Sequence, residues 1–198
     1  MNLENLPFGL PVKGDHEIVK ILLKSGSERG AGGAGGGIDV NQCNQDGKTP
    51  LWIACWGGKK EAVKILLQNP RVEVNQGDKF GETPLQVACN YGREEIVKML
   101  LRDGRANVNQ KNTLGKTALW IACKRGKEAI VKILLAGGRG VETKKRRGFF
   151  SELVDPSPAQ VAMARRDFHL VHLITRYEEN PQQVKMELRK ELGNSLTF

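Results

Sequence analysis

The sequence predicts an all-α solenoid of stacked helix pairs, joined by short finger loops and closed by a C-terminal capping helix. Three observations lead there. The heptapeptides TPLWIAC (49–55), TPLQVAC (83–89) and TALWIAC (117–123) recur with a period of 34 residues. Each is followed at constant offset by a second apolar-periodic block: KKEAVKILL (59–67), REEIVKMLL (93–101) and KEAIVKILL (127–135). A glycine, Gly58, Gly92 or Gly126, stands between the two blocks every time. A fixed period of this size marks a repeat architecture. Neither block is long enough to persist as a helix alone, so each pair must fold by packing.

Taken in chain order, residues 1–13 read as an N-terminal lead or degenerate helix. Residues 14–43 read as a partial repeat whose second helix is GDHEIVKILL (14–23). Full repeats span 44–77, 78–111 and 112–147. In each, Thr49, Thr83 or Thr117 is placed to cap the first helix, and Pro50 and Pro84 sit at its first turn, where a missing N–H costs nothing. The glycines let one helix end and the next begin within a few residues. In the second helix Val63, Leu66 and Leu67 recur as Val97, Leu100 and Leu101, then as Val131, Leu134 and Leu135. One unit cannot bury that stripe, so the copies must stack. EVNQGDKFG and NVNQKNTLG connect successive units. A degenerate repeat covers 148–177: in SPAQVAMARRDFHLVHLI (157–174), Ser157 and Pro158 stand for Thr-Pro, Ala162 for the core alanine, and Leu170, Val171 and Leu173 for the second helix. The final segment, 178–198, is read as a capping helix and tail. Asn180 is its N-cap, Pro181 its first position and Gly193 its stop, with Val184, Leu188 and Leu192 on one face over the last exposed repeat.

The pattern G-x-T-P-L-x-x-A, then a glycine, then I/V-V-x-L-L-L-like residues running to V-N, resembles the ankyrin repeat. Three full units, about 44–147, carry it, so the solenoid is identified as an ankyrin-repeat solenoid. The sequence departs from the family where Trp52, Gln86 and Trp120 replace the histidine that usually follows T-P-L. That bears on one local hydrogen bond, not on the fold. The family is also known for hydroxylation of the asparagine in its V-N turn, a place held here by Asn41, Asn75 and Asn109.

The composition fits a globular chain: of 198 residues, 39% are hydrophobic and 27% charged, which excludes wholesale disorder and a collagen-like chain. No apolar run approaches the roughly 18 residues of a membrane span, and the N-terminus lacks the basic head of a signal peptide. A cytoplasmic protein with no membrane partner is expected, with the nucleus as alternative. The formal net charge of +9 is localised. Residues 111–147 carry eleven basic side chains (Lys111, Lys116, Lys124, Arg125, Lys127, Lys132, Arg139, Lys144, Lys145, Arg146, Arg147) against Glu128 and Glu142. Such asymmetry suggests an acidic partner or nucleic acid at that place. The KKRR run (144–147) reads as a solvated finger ahead of an import signal, because short basic motifs match by chance. Lys64, Lys98 and Lys132 recur at the same period and are expected only to solvate the convex face.

Several features imitate chemistry. Gly30, Gly32 and Gly35 satisfy G-x-G-x-x-G, but a dinucleotide fingerprint must follow a strand and open a helix, and this one follows a helix and runs into IDVN. It reads as a flexible insertion. Cys55, Cys89 and Cys123 share one slot of successive repeats, as small core residues too far apart for disulfides. His169 and His172 lie three apart on one predicted helix with no third ligand nearby, and His16 is alone. Nothing pairs a nucleophile with a base. No enzyme activity, no cofactor and no metal site are expected.

Function should then live on the groove. The resemblance implies that fingertips and the residues before the mid-repeat glycine contact ligands on the concave side. In this sequence those are Gln45, Asp46, Lys48, Trp56 and Gly57; then Lys79, Phe80, Glu82, Asn90 and Tyr91; then Thr113, Leu114, Lys116, Lys124 and Arg125; and in the degenerate unit Arg146, Arg147, Ala164 and Arg165. Trp56, Phe80, Tyr91 and Leu114 are large apolar residues at exposed positions, and aromatics of this kind dominate interface energetics. Beside them the groove turns basic. The implied function is a monomeric protein-binding scaffold or adaptor whose partner carries an acidic segment. Nucleic-acid binding through 111–147 is the alternative.

Overall fold

The computed structural model describes residues 39–143 and 156–193, and among these every regular element is a helix. Three pairs follow the 34-residue period: α1 (Pro50–Gly57) with α2 (Lys60–Leu67), α3 (Pro84–Asn90) with α4 (Glu94–Asp103), and α5 (Ala118–Arg125) with α6 (Glu128–Gly137). A fourth pair is α7 (Pro158–Ala164) with α8 (Phe168–Glu179), followed by α9 (Pro181–Glu191). The first helices α1, α3, α5 and α7 pack side by side in one row, and α2, α4 and α6 form a second row behind them. The lead segment, GDHEIVKILL, the glycine-rich run, His16 and the KKRR finger with Arg146 and Arg147 lie outside the described residues.

The first helices begin where the sequence places them. Thr49, Thr83 and Thr117 each accept a hydrogen bond from the backbone N–H three residues on, at 3.2, 3.2 and 3.3 Å, and Ser157 does the same for Gln160. Each such cap is worth about 1 kcal/mol, a large contribution for helices of seven or eight residues. Gly58, Gly92 and Gly126 turn the chain with φ of 73°, 72° and 62°. The fourth unit puts Arg166 in that slot, at φ 60°. A side chain there costs roughly 1–2 kcal/mol.

Between the rows Val63, Val97, Val131, Cys55, Cys89 and Cys123 are all 0% exposed. The three cysteines are free thiols. Burial pushes each upward, Cys123 to about 12, which makes them inert core residues. In the fourth unit the second helix buries Leu170 and Ile174 fully, with Val171 and Leu173 only half-buried. The core register therefore includes Ile174, which the pattern match had passed over for Leu173.

Polar bonds tie each unit to the next. The three residues in the place of the usual histidine all donate across the gap: Trp52 Nε1 to the Glu82 carbonyl (2.9 Å), Gln86 Nε2 to the Gln110 and Lys116 carbonyls (2.6 and 3.0 Å), and Trp120 Nε1 to the Pro156 carbonyl (2.9 Å). A second ladder runs through the asparagines. The amides of Asn41, Asn75 and Asn109 donate to the carbonyls of Arg71, Arg105 and Gly140 and accept from the N–H of Glu73, Asn107 and Glu142, all between 2.7 and 2.9 Å. Arg105 adds a clasp between the first two units. Its guanidinium is held by Asp103 and donates to the carbonyls of Leu67, Asn69, Pro70 and Val72, groups that the end of α2 leaves without helical partners.

The C-terminal helix packs on the array through the apolar face that the sequence gives it. α9 lies against both α6 and α8, which touch each other little. It buries Val184 and Leu188, while Lys185 and Arg189 donate to the Gly138 and Ala136 carbonyls at the end of α6. Lys132, expected only to solvate, pairs with Glu128 and Glu191 and so links α6 to α9. The helix thus lies in the second row beside α6, held by its buried apolar face and by basic side chains at the negative end of α6. Met163 and Phe168 on the fourth pair stay 57% and 68% exposed.

Two variants test this account. Arg105→Ala should lower unfolding free energy by about 2–3 kcal/mol, since it strands several carbonyls. Arg71→Ala, in the equivalent slot but exposed, should change it by less than about 0.5 kcal/mol; denaturant titration measures both. Arg166→Gly should stabilise by up to about 1 kcal/mol by removing a left-handed side chain, read as a higher melting temperature.

Candidate functional site

The fingers are built on one repeated side chain that the motif search did not single out. Asn44, Asp78 and Asn112, 34 residues apart, each accept from two backbone N–H groups of their own finger: Asp46 and Lys48, Phe80 and Glu82, Leu114 and Lys116, at 2.9–3.0 Å. Their period and their Asn/Asp chemistry were the available signal. The fingers are also joined tip to tip, Lys79 N–H to the Asp46 carbonyl and Thr113 N–H to the Phe80 carbonyl, both 2.9 Å. Residues on successive tips are thereby fixed relative to one another.

The aromatic residues divide into two groups. Trp56 and Tyr91 meet edge to face, with ring centroids 6.3 Å apart, and Trp56 stacks on the buried Trp52 at 6.4 Å. Trp56 is 43% and Tyr91 49% exposed, so the pair offers one continuous apolar surface across the first two units. Phe80 and Leu114 project from neighbouring fingertips, at 59% and 74% exposed. Gln45 and Thr113 are exposed beside them.

Several predicted charges are already engaged. Asp46 pairs with both Lys48 and Lys79, and hydrogen bonds from Lys79 and then Lys48 hold its carboxyl below the usual range. Lys48 also lies over the Trp52 ring at 5.1 Å, Lys79 over Phe80 at 5.4 Å and Lys116 over Trp120 at 4.4 Å. The first two fingers thus carry lysines as well as apolar groups. Glu82, Asn90 and Arg125 form a chain across two units: Asn90 Nδ2 approaches the Glu82 carboxylate at 3.5 Å, and Arg125 Nε donates to Asn90 Oδ1 at 2.6 Å. Burial, with Asp78 nearby, pushes the Glu82 carboxyl up despite Arg125 and Asn90. Lys124 is exposed. Gly57 and Ala164 are exposed too, and Arg165 reaches back to the Lys124 carbonyl at 3.1 Å, as Arg93 does to the Trp56 carbonyl at 3.2 Å. These two arginines neutralise the negative ends of α5 and α1. Arg93 was not foreseen.

Among the described residues no group of three or more His, Cys, Asp or Glu side chains is placed to hold a metal, and His169 and His172 are exposed. No helix there is long and apolar enough to cross a membrane. The family model described as "Ankyrin repeats (3 copies)" matches residues 11–112 and again 61–147. The chain belongs to the ankyrin-repeat family. Ankyrin repeats commonly mediate protein–protein interaction and are generally non-enzymatic modules. No curated protein matches this ankyrin-repeat chain.

Glu82 supplies a test of the site's electrostatics. A carboxyl whose pKa is raised on folding adds stability in acid and loses it as pH rises through the folded value. Glu82→Gln is therefore expected to raise the melting temperature at pH 7, and the gain should vanish as pH falls below the ordinary glutamate value of about 4.3. An equal gain at both ends of that range would remove the charge from the explanation.

Proposed function

We propose that the protein is a non-enzymatic scaffold or adaptor that grips one partner polypeptide along the groove of fingers and first helices. The partner segment is apolar or aromatic over the first two units, 44–111, and acidic beyond them. The Trp56–Tyr91 pair carries this reading. Two large aromatic rings, locked edge to face and half open to solvent, offer contact area at little further cost in side-chain entropy. The acidic end of the partner meets Lys124 and Arg125, with Lys116 on the adjoining finger. Because fingers and helices are bonded to one another before any partner arrives, binding orders little and can use roughly 600–1,000 Å² per partner efficiently.

Nucleic-acid binding through 111–147 is the second reading; it leaves the Trp56–Tyr91 pair, which lies in the first two units, without a role. The experiment is affinity capture from the source cell with the intact chain and a Trp56→Ala, Tyr91→Ala variant. Proteins retained by the first and lost from the second are the expected result, and each substitution should cost about 2 kcal/mol with the purified partner. Binding that survives both changes sinks the assignment. Tight binding to mixed-sequence DNA or RNA, with log K falling steeply against log salt and no protein ligand, would favour the nucleic-acid reading.

A further inference from the structure

Along the groove, one slot at the end of each first helix reaches back over the preceding unit. Gly57, Tyr91 and Arg125 hold that slot at the 34-residue period, and Arg165 holds it after the longer finger. The Tyr91 ring meets Trp56 of the first unit edge to face. Arg125 Nε donates to Asn90 Oδ1 of the second unit at 2.6 Å, and Arg165 Nη1 to the Lys124 carbonyl of the third at 3.1 Å. The Trp56–Tyr91 and Asn90–Arg125 contacts are therefore successive members of one row, displaced by a single unit.

The second contact holds a side chain in place. A carboxylate only accepts and a guanidinium only donates, so the Asn90 amide lies between its neighbours one way round, with Nδ2 towards Glu82 at 3.5 Å and Oδ1 towards Arg125. Glu82 is fixed in turn: its N–H donates to the Asp78 carboxylate and its carbonyl accepts from the Trp52 indole, both at 2.9 Å. Asn90 occupies the Nε edge of the guanidinium. Of the two ways a guanidinium can grip a carboxylate with parallel bonds, only the end-on one, through both terminal nitrogens, is left. Arg125 is exposed, and its Nη1 and Nη2 bond no described residue. Lys124 stands exposed beside it.

We propose that Arg125 receives one side-chain carboxylate of the partner polypeptide, end-on, and that Asn90 and Glu82 are positioning residues for it. Granted the groove-binding reading, on which this rests, the row also sets where that acid stands in the partner. Packed helices lie roughly 8–10 Å apart and an extended chain advances about 3.3 Å per residue. The Asp or Glu therefore falls about three residues from the apolar residue seated on Trp56 and Tyr91. A planar carboxylate matches the flat fork, whereas a doubly charged phosphate would also meet the Glu82 charge behind Asn90.

Selection of a random peptide library on the purified full chain, followed by titration of synthetic peptides, tests this. Peptides that need Trp56 and Tyr91 should carry Asp or Glu about three residues from an aromatic or aliphatic residue. Exchange of that acid for its amide should weaken binding to the wild type roughly five- to tenfold. The preference for acid over amide should vanish in Arg125→Gln and persist only in part in Arg125→Lys, which keeps the charge without the fork. It should also fall in Asn90→Leu, where Arg125 is present but untied; Asn90→Ala replaces that variant if its melting temperature drops. An unchanged preference there overturns the positioning role. Peptides that need Trp56 and Tyr91 but show no acid preference, or one that survives Arg125→Gln, overturn the inference and leave the groove reading standing. Tighter binding with phosphoserine than with glutamate at that place overturns the carboxylate. A library that yields no peptide dependent on Trp56 and Tyr91 overturns the groove reading and the inference with it.

Discussion

Each helix pair has apolar groups on two sides, and its own partner helix covers only part of them. Helices of 7 to 12 residues would not persist in water on their own, so each pair exists because its neighbours are there. Everything else in the molecule follows from that dependence. The first helices are held at a regular spacing, the fingers they carry are brought within hydrogen-bonding distance, and side chains far apart in sequence, such as Asn90 and Arg125, come to share one surface. A binding face made this way is set by the core behind it.

The polar bonds between units specify register more than they add raw stability. The family's usual histidine is absent, yet its structural task is done by an indole in two units and a carboxamide in the third. What the position requires is a donor of the right reach, aimed at a carbonyl of the next finger. The asparagine ladder does the same for the outer turn, spending both the donor and the acceptor of each side chain. Hydroxylation at Asn41, Asn75 or Asn109 would have to reach a side chain already bonded on both sides, and so would need the turn to open first.

How far the sequence could be read depended on whether a feature was periodic. Helix pairs, caps, mid-repeat glycines and the core valines and cysteines all recur at 34 residues, and each could be assigned by comparing copies. The exposed aromatics could be found as well, because repeat geometry leaves their positions uncovered. Arg105 could not: Arg71 and Arg139 share its slot, and only the nearby Asp103 carboxylate turns Arg105 back onto the preceding unit. The same holds for Arg125, whose bond to Asn90 depends on the distance between two repeats. The position of α9 beside α6 was hidden because an amphipathic helix reads the same whichever apolar cleft receives it.

The choice of donor at the unit boundaries also makes the array readable by light. Trp52 spans the first boundary and Trp120 the third, whereas Gln86, which is silent in the near ultraviolet, spans the middle one. With Trp56 exposed beside Tyr91, the chain's 3 tryptophans are thus divided among two seams and the proposed binding face. Indole emission shifts when its N–H exchanges a carbonyl for water, so the molecule carries built-in optical probes for its two outer seams, the first of which Arg105 also clasps, and leaves the central one dark.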